Sequence, residues 1–182
     1  MVEKQDNALV EETLGGSTGA FEMLVEKYQK VIFNLAYRMT WDYDEAQDIT
    51  QTAFVRAFEN LRRFKPEHKF FSWLYRIAVN EALNRVKAKS KVVPLNPRMR
   101  SKEKGPDELQ GEKEVSEKIQ EALMEIDTKY RVLIILKHFR ACSYTEIADA
   151  LGIPEKKVKS RLFTARQLLR AALETKGVLP DE

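Results

Sequence analysis

The chain has 182 residues, enough for one domain or two small ones, and 43% hydrophobic residues, while 31 basic against 28 acidic residues leave little overall charge bias. A single cysteine, Cys142, and only two histidines, His68 and His138, exclude a disulfide framework and argue against a cysteine or histidine metal site. No apolar run approaches the roughly 20 residues that span a bilayer, and the polar, acidic N-terminus lacks a secretory signal, so the chain reads as cytoplasmic, with no direct membrane insertion.

From the N-terminus, Phe21, Leu24, Val25, Tyr28, Ile32 and Leu35 recur at spacings of three and four and predict a helix with one buried stripe. A second helix is expected over about residues 42–61, with Ala46, Ile49, Ala53, Ala57 and Leu61 on its buried arc. Its other side carries Glu45, Asp48, Thr52 and Glu59, with Gln51 at the margin. A solvated outer face explains such a pattern without any partner, and a protein docking face is the functional alternative.

Residues 62–76 mix charge with rings: Arg62, Phe64, Lys65, Lys69, Phe70, Phe71, Trp73, Tyr75 and Arg76. That combination suits phosphate attraction and stacking on unpaired bases, although several of these rings must belong to a core. Trp73 is the leading core candidate, and Phe64 beside Pro66 is expected in an exposed loop. A third helix is predicted over about residues 72–89, with Trp73, Ile77, Val79, Ala82, Leu83 and Val86 supplying apolar surface.

Residues 90–113 contain Pro94, Pro97, Gly105, Pro106 and Gly111, which remove helix donors and loosen the backbone. They read as a flexible linker, with Lys91, Arg98, Arg100, Lys102 and Lys104 as its basic residues. The linker would divide the chain into residues 1–89 and 114–182. Neither part shows the alternating β-branched pattern of a sheet, so the expected fold is all-α, two small helical domains with a helix-turn-helix in the second.

That helix-turn-helix lies in SYTEIADALGIPEKKVKSRLFTARQLLR. Ile147, Ala148 and Leu151 face inward on the first helix, and Gly152 permits a sharp exit. On the second helix, Val158, Leu162, Ala165 and Leu169 form a narrow apolar stripe. Lys156, Lys157, Lys159, Ser160, Arg161, Phe163, Thr164, Arg166 and Gln167 occupy the remaining faces. Residues 155–170 hold 6 basic and 1 acidic side chain, whereas residues 1–89 balance 13 against 13. Such a local bias is what a DNA-facing surface requires.

Three motifs in this order resemble an extracytoplasmic-function (ECF) sigma factor of the sigma-70 family, group 4, over nearly the whole chain. DEAQDITQTAFVRAF resembles the family's core-polymerase-binding motif, which implies docking through Glu45, Asp48, Gln51 and Thr52 on the clamp helices of the largest polymerase subunit. Thr52 stands where an acidic residue is frequent. FFSWLYRIAVNEALNRVKAK resembles the promoter-melting motif, through Phe70, Trp73, Leu74, Ile77, Ala78 and Asn80. This resemblance implies minus 10 contacts by Arg62, Phe64, Lys65, Lys69, Phe70, Phe71, Arg76 and Asn80. Asn84 replaces a common aspartate and Lys87 a common arginine, losing the fixed fork of that side chain. The helix-turn-helix resembles the minus 35 reader, with Lys156 and Lys157 in place of a common Gly-Thr pair and Phe163 and Thr164 in place of a polar or basic pair.

The resemblance implies bacterial core RNA polymerase and promoter DNA as partners, a separate anti-sigma protein as regulator, and no metal or other cofactor. It also implies targeting rather than catalysis, so the chain is not expected to be an enzyme. Two other readings remain: a stand-alone DNA-binding regulator, which the two upstream motifs oppose, and a small helical hydrolase. For the latter, Glu45 and Asp48 would be a carboxylate pair without any nucleophile or metal partner.

Overall fold

The computed structural model describes residues 2–92 and 110–179, and side-chain surroundings within residues 5–89 and 115–179. Among the described residues there are eight α-helices and no strand: α1 (Val2–Leu14), α2 (Thr18–Thr40), α3 (Tyr43–Glu59), α4 (Phe70–Val92), α5 (Gln110–Glu125), α6 (Thr128–Ile134), α7 (Tyr144–Leu151) and α8 (Glu155–Thr175). A 3-10 turn, Leu61–Arg63, follows α3, and a π-turn, Ile135–Phe139, prolongs α6. The expected all-α class is the observed one. None of these helices is long and apolar enough to cross a membrane.

The helix ends follow local chemistry. Ser17 caps α2 through the Ala20 N–H and Asp42 caps α3 through the Glu45 N–H, each satisfying a backbone donor that has no helical partner. Trp41 ends α2 in the left-handed conformation, at φ 50°. The two helices α2 and α3 then pack on each other and on α4. Leu24, Ile32, Leu35, Ala46, Ile49, Ala53 and Ala57 are buried between them, and the small alanines let α3 approach closely. Every residue expected on the buried arc of α3 is buried, while Val25 on the α2 stripe is only half-buried.

The helix α4 begins at Phe70 and runs to Val92, so it enters the segment read as linker. The helix α5 starts at Gln110, inside that segment from the other side. Residues 93–109, with Arg98, Arg100, Lys102 and Lys104, lie outside the described residues, as does the side chain of Lys91.

The two halves of the chain touch. Gln120 Nε2 of α5 donates to the Arg38 carbonyl at 3.1 Å, and Arg131 Nη1 of α6 donates to the Met39 carbonyl at 2.7 Å. These carbonyls belong to the last turn of α2, where helical partners run out. Arg38 in turn lays its guanidinium 3.8 Å over the Phe139 ring. The helices α4 and α7 also pack together, and one continuous apolar core joins both halves.

Candidate nucleic-acid and protein interfaces

The helices α2 and α3 frame an open groove of about 1020 Å³, lined by Phe21, Phe33, Tyr43, Phe54, Val55 and Phe58, with Lys30, Asp48 and Gln51 among its polar groups. Val55 and Phe58 are half exposed, at 50% and 49%. Apolar side chains left wet in this way, beside polar groups, make a surface suited to another protein. Asp48 and Gln51 are exposed here, whereas Glu45 departs from the expected docking face. Its carboxylate is engaged by Lys89 at 3.2 Å and Arg85 at 3.7 Å, both on α4. Thr52 is half-buried. Three residues turn a helix by about 300°, which leaves about 60° between the Glu45 and Asp48 side chains: Glu45 reaches Lys89 and Arg85 of α4 while Asp48 borders the groove.

The seam between α3 and α4 is charged. Glu81, buried to 5% exposure, pairs with Arg56 at 2.7 Å and with Arg85 at 3.4 Å. Lys89 bridges Asp42 and Glu45. Partial burial pushes the Asp42 carboxyl up, but the Glu45 N–H and the Lys89 ammonium together hold it below its ordinary value. Burial likewise pushes Lys89 down, and its hydrogen bonds to Asp42 and Glu45 more than offset that.

The expected single-strand surface is only partly assembled from the residues that suggested it. Phe64 is not an exposed loop ring: it is buried, edge-on to Phe70 at 5.7 Å and tilted against Trp73 at 5.5 Å. Phe70 is buried to 1% exposure. The rings of residues 64 and 70 therefore close the base of the loop instead of lining its outer face, since burying two phenyl groups is favoured by about 1.5–3 kcal/mol each. Trp73, expected in the core, is half-buried and keeps an outer edge. It shares a helical face with the exposed Arg76 and Asn80, three and seven residues on. Phe71 is half-buried against Tyr28 and Tyr75. Arg62, Lys65 and Lys69 are exposed. Lys69 Nζ lies 3.8 Å from Glu146 of α7, and Arg76 sits beside Gly152, so the first helix of the helix-turn-helix leans on this surface.

In the helix-turn-helix, a capping box starts α7: the Glu146 N–H donates to Ser143 Oγ, and the Ser143 N–H donates to Glu146 Oε2 at 2.8 Å. That backbone bond, together with the Ser143 hydroxyl, Lys69 and Lys137, holds the Glu146 carboxyl below its ordinary value despite partial burial. Gly152 turns the chain at φ 62°, where a side chain would be strained. Ile147 is buried in the core and the half-buried Ala148 and Leu151 pack against it, as expected, while Ala150 is buried as well. Val158, Leu162 and Ala165 anchor α8. Lys156, Lys157, Lys159, Ser160, Phe163, Arg166 and Gln167 are exposed, and Arg161 and Thr164 are half-buried beside the stripe. Lys159 is paired with Glu155 at 2.6 Å, and Arg166 Nε donates to His138 Nε2 at 3.4 Å. Burial and the neighbouring Arg166 and Lys137 push His138 below its ordinary value, which leaves its imidazole an acceptor near neutrality.

The residue least legible in advance is Arg131. Buried to 5% exposure, it donates to four carbonyls, Leu123, Met124 and Ile126 at the end of α5 and Met39 on α2. Burial lowers its pKa to about 10, which leaves it charged at neutrality. The only sequence signal is one arginine interrupting the apolar run after Tyr130.

An all-helical chain with a basic helix-turn-helix at one end and an apolar groove at the other is built as a DNA-binding protein that also engages a protein. Residues 24–92 match the model of sigma-70 region 2, and residues 116–169 match that of sigma-70 region 4. The chain is 35% identical to the ECF RNA polymerase sigma factor SigW of Bacillus subtilis, over 87% of this chain and 91% of that protein. With the ECF RNA polymerase sigma-E factor of Escherichia coli it shares 31% identity over 90% and 92%. Among solved structures, that of CnrH in complex with the cytosolic domain of CnrY superposes with a TM-score of 0.73 at 25% identity, covering 94% of this chain and 98% of that one. The sigma factor RpoE of Bartonella quintana, in complex with the anti-sigma factor NepR, shares the fold at TM-score 0.70 and 21% identity, over 85% of this chain and 96% of that one. The chain belongs to the sigma-70 family and is an ECF RNA polymerase sigma factor, a transcription initiation factor.

Proposed function

We propose that this sigma factor, acting in the cytoplasm, divides its work among three surfaces. The groove between α2 and α3 receives core polymerase, with Asp48 and Gln51 as its polar contacts. Residues 62–80 capture the opened minus 10 strand, Trp73 offering the ring and Arg62, Lys65, Arg76 and Asn80 the polar contacts. The helix α8 reads the minus 35 duplex. The observation that carries this reading is the pairing of a wet apolar groove with a separate, exposed basic helix, one suited to protein and the other to phosphate. Residues 1–89 and 114–182 act as the two working domains, with 90–113 connecting them. An anti-sigma protein is the expected regulator: the sigma factor RpoE, which shares this fold, is bound to the anti-sigma factor NepR.

The test separates the two ends. Asp48→Arg with Gln51→Ala should weaken capture of core polymerase at least tenfold while leaving titration of an isolated minus 35 duplex unchanged. Parallel losses in both assays, with a lowered melting temperature, would contradict a docking role for these positions.

A further inference from the structure

The loop of residues 65–69 has almost nothing of its own to fix its shape. Its ends are held by the buried Phe64 and Phe70, whose rings meet at 5.7 Å, while Lys65, Pro66, Glu67, His68 and Lys69 are all exposed. Within it, the His68 N–H donates to the Lys65 carbonyl at 2.9 Å. The tip is reached from elsewhere: Asn7 Nδ2 on α1 donates to the Pro66 carbonyl at 3.0 Å across 59 residues of sequence. Proline has no N–H, so its carbonyl is the one backbone hydrogen-bonding group that this residue itself offers.

The residue before Asn7 supports the other end of the loop. Asp6, buried to 3% exposure, accepts from Tyr28 Oη at 2.5 Å and also from Lys27 Nζ. The Tyr28 ring lies against Phe70 and Phe71, the first two residues of α4, at 6.1 and 5.4 Å. Leu9 and Val10 are buried and seat α1 on the core. All of α1 lies before residue 24, where the match to sigma-70 region 2 begins.

We propose that α1 is a brace for the strand-capturing loop, with Asn7 as a positioning residue at its tip and Asp6, through Tyr28, supporting its trailing anchor. This rests on residues 62–80 capturing the minus 10 strand. A loop held in its working shape loses less conformational freedom when the strand binds, so the brace contributes affinity and sharpens base choice without touching DNA.

The probe is a single-stranded oligonucleotide selected from a random pool by the wild-type holoenzyme, titrated against holoenzymes carrying variants. Asn7→Ala should weaken its binding about fivefold, the scale of one net hydrogen bond, and compress the affinity ratio between the selected oligonucleotide and base-substituted versions. Asn7→Asp, which loses the donor and sets a carboxylate against the Pro66 carbonyl, should bind no better than alanine, and Asn7→Gln should recover part of the loss. Core association and minus 35 duplex binding should stay at wild-type values.

If Lys65→Ala or His68→Ala weakens oligonucleotide binding while Asn7→Ala leaves affinity and ranking intact, the loop captures the strand and the brace is wrong. If none of these variants changes oligonucleotide binding, strand capture by this loop fails first and the brace with it. An Asn7→Ala protein that loses core and duplex binding in step with the oligonucleotide would overturn a positioning role in favour of general destabilisation.

Discussion

Phe163 is the most exposed large apolar side chain on α8, at 64%, and it points away from the Val158, Leu162 and Ala165 stripe among lysines, a serine and a glutamine. With α8 in the major groove, as proposed, such an apolar ring fits the 5-methyl group of thymine. Replacing thymines of the minus 35 element by uracil, one at a time, should weaken wild-type binding about fourfold at one position, near the value of one buried methyl. The same replacement should have no effect on Phe163→Ala. A variant that stays as sensitive as wild type at every position would remove Phe163 from base reading. Lys157, the third residue of α8 and exposed, falls on the proposed reading among the phosphate contacts. Lys157→Ala should weaken related promoters alike and reduce the salt slope of duplex binding by about 0.9, whereas Ser160→Ala should alter promoter ranking. Measurement at several salt concentrations distinguishes the two.

At the level of helices, α7 is only eight residues long, too short to persist without its cap and its packing. Ser143→Ala should destabilise the fold by about 1 kcal/mol in urea denaturation. Because the Glu146 carboxyl sits below its ordinary value of 4.5, the stabilisation it contributes is complete above that pH and is lost as pH falls through the lowered folded value. Glu146→Gln should therefore flatten this part of the acid limb, which stability measured across that range would reveal. The spacing that exposed α3 and α8 in the sequence worked because each carries one continuous buried stripe, so periodicity and burial coincide. The helix α1 leaves little trace in the sequence since it buries few apolar residues, chiefly Leu9 and Val10, and its remaining ties are polar. Phe64 departs from its expected exposure for a related reason. Its charged neighbours and Pro66 describe the loop surface, while the ring itself turns beneath toward Phe70 and Trp73, a long-range packing choice that local composition does not encode. Glu45 and Asp48 looked alike in the sequence until α4 supplied lysine and arginine to only one of them.

At the scale of the whole molecule, the two halves meet through a few polar contacts at the end of α2 and an apolar seam between α4 and α7. Lys69 is held near Glu146 in this arrangement and Arg76 lies against the turn at Gly152, while the basic face of α8 stays open. On the proposed reading, capture of the minus 10 strand by residues 62–80 would compete with these contacts between the halves. Arg131 is a poor handle on that competition, because three of its four carbonyl partners lie within its own half. Arg131→Ala should destabilise the C-terminal half itself, by about 3 kcal/mol given several charge-assisted bonds lost in a buried site, seen as a lowered urea midpoint. Gln120 and Arg38 offer a cleaner separation, since one bridges to the α2 carbonyl and the other covers Phe139. A compact chain of this length has a radius of gyration of about 16 Å. Small-angle scattering of the free protein should give a value close to that, and Gln120→Ala with Arg38→Ala should increase it while the helical circular dichroism is retained. The same double variant should bind the minus 10 oligonucleotide, in holoenzyme, no more weakly than wild type, because the contacts it removes oppose that surface. An unchanged radius would mean that the apolar seam between α4 and α7 holds the halves without help from the end of α2.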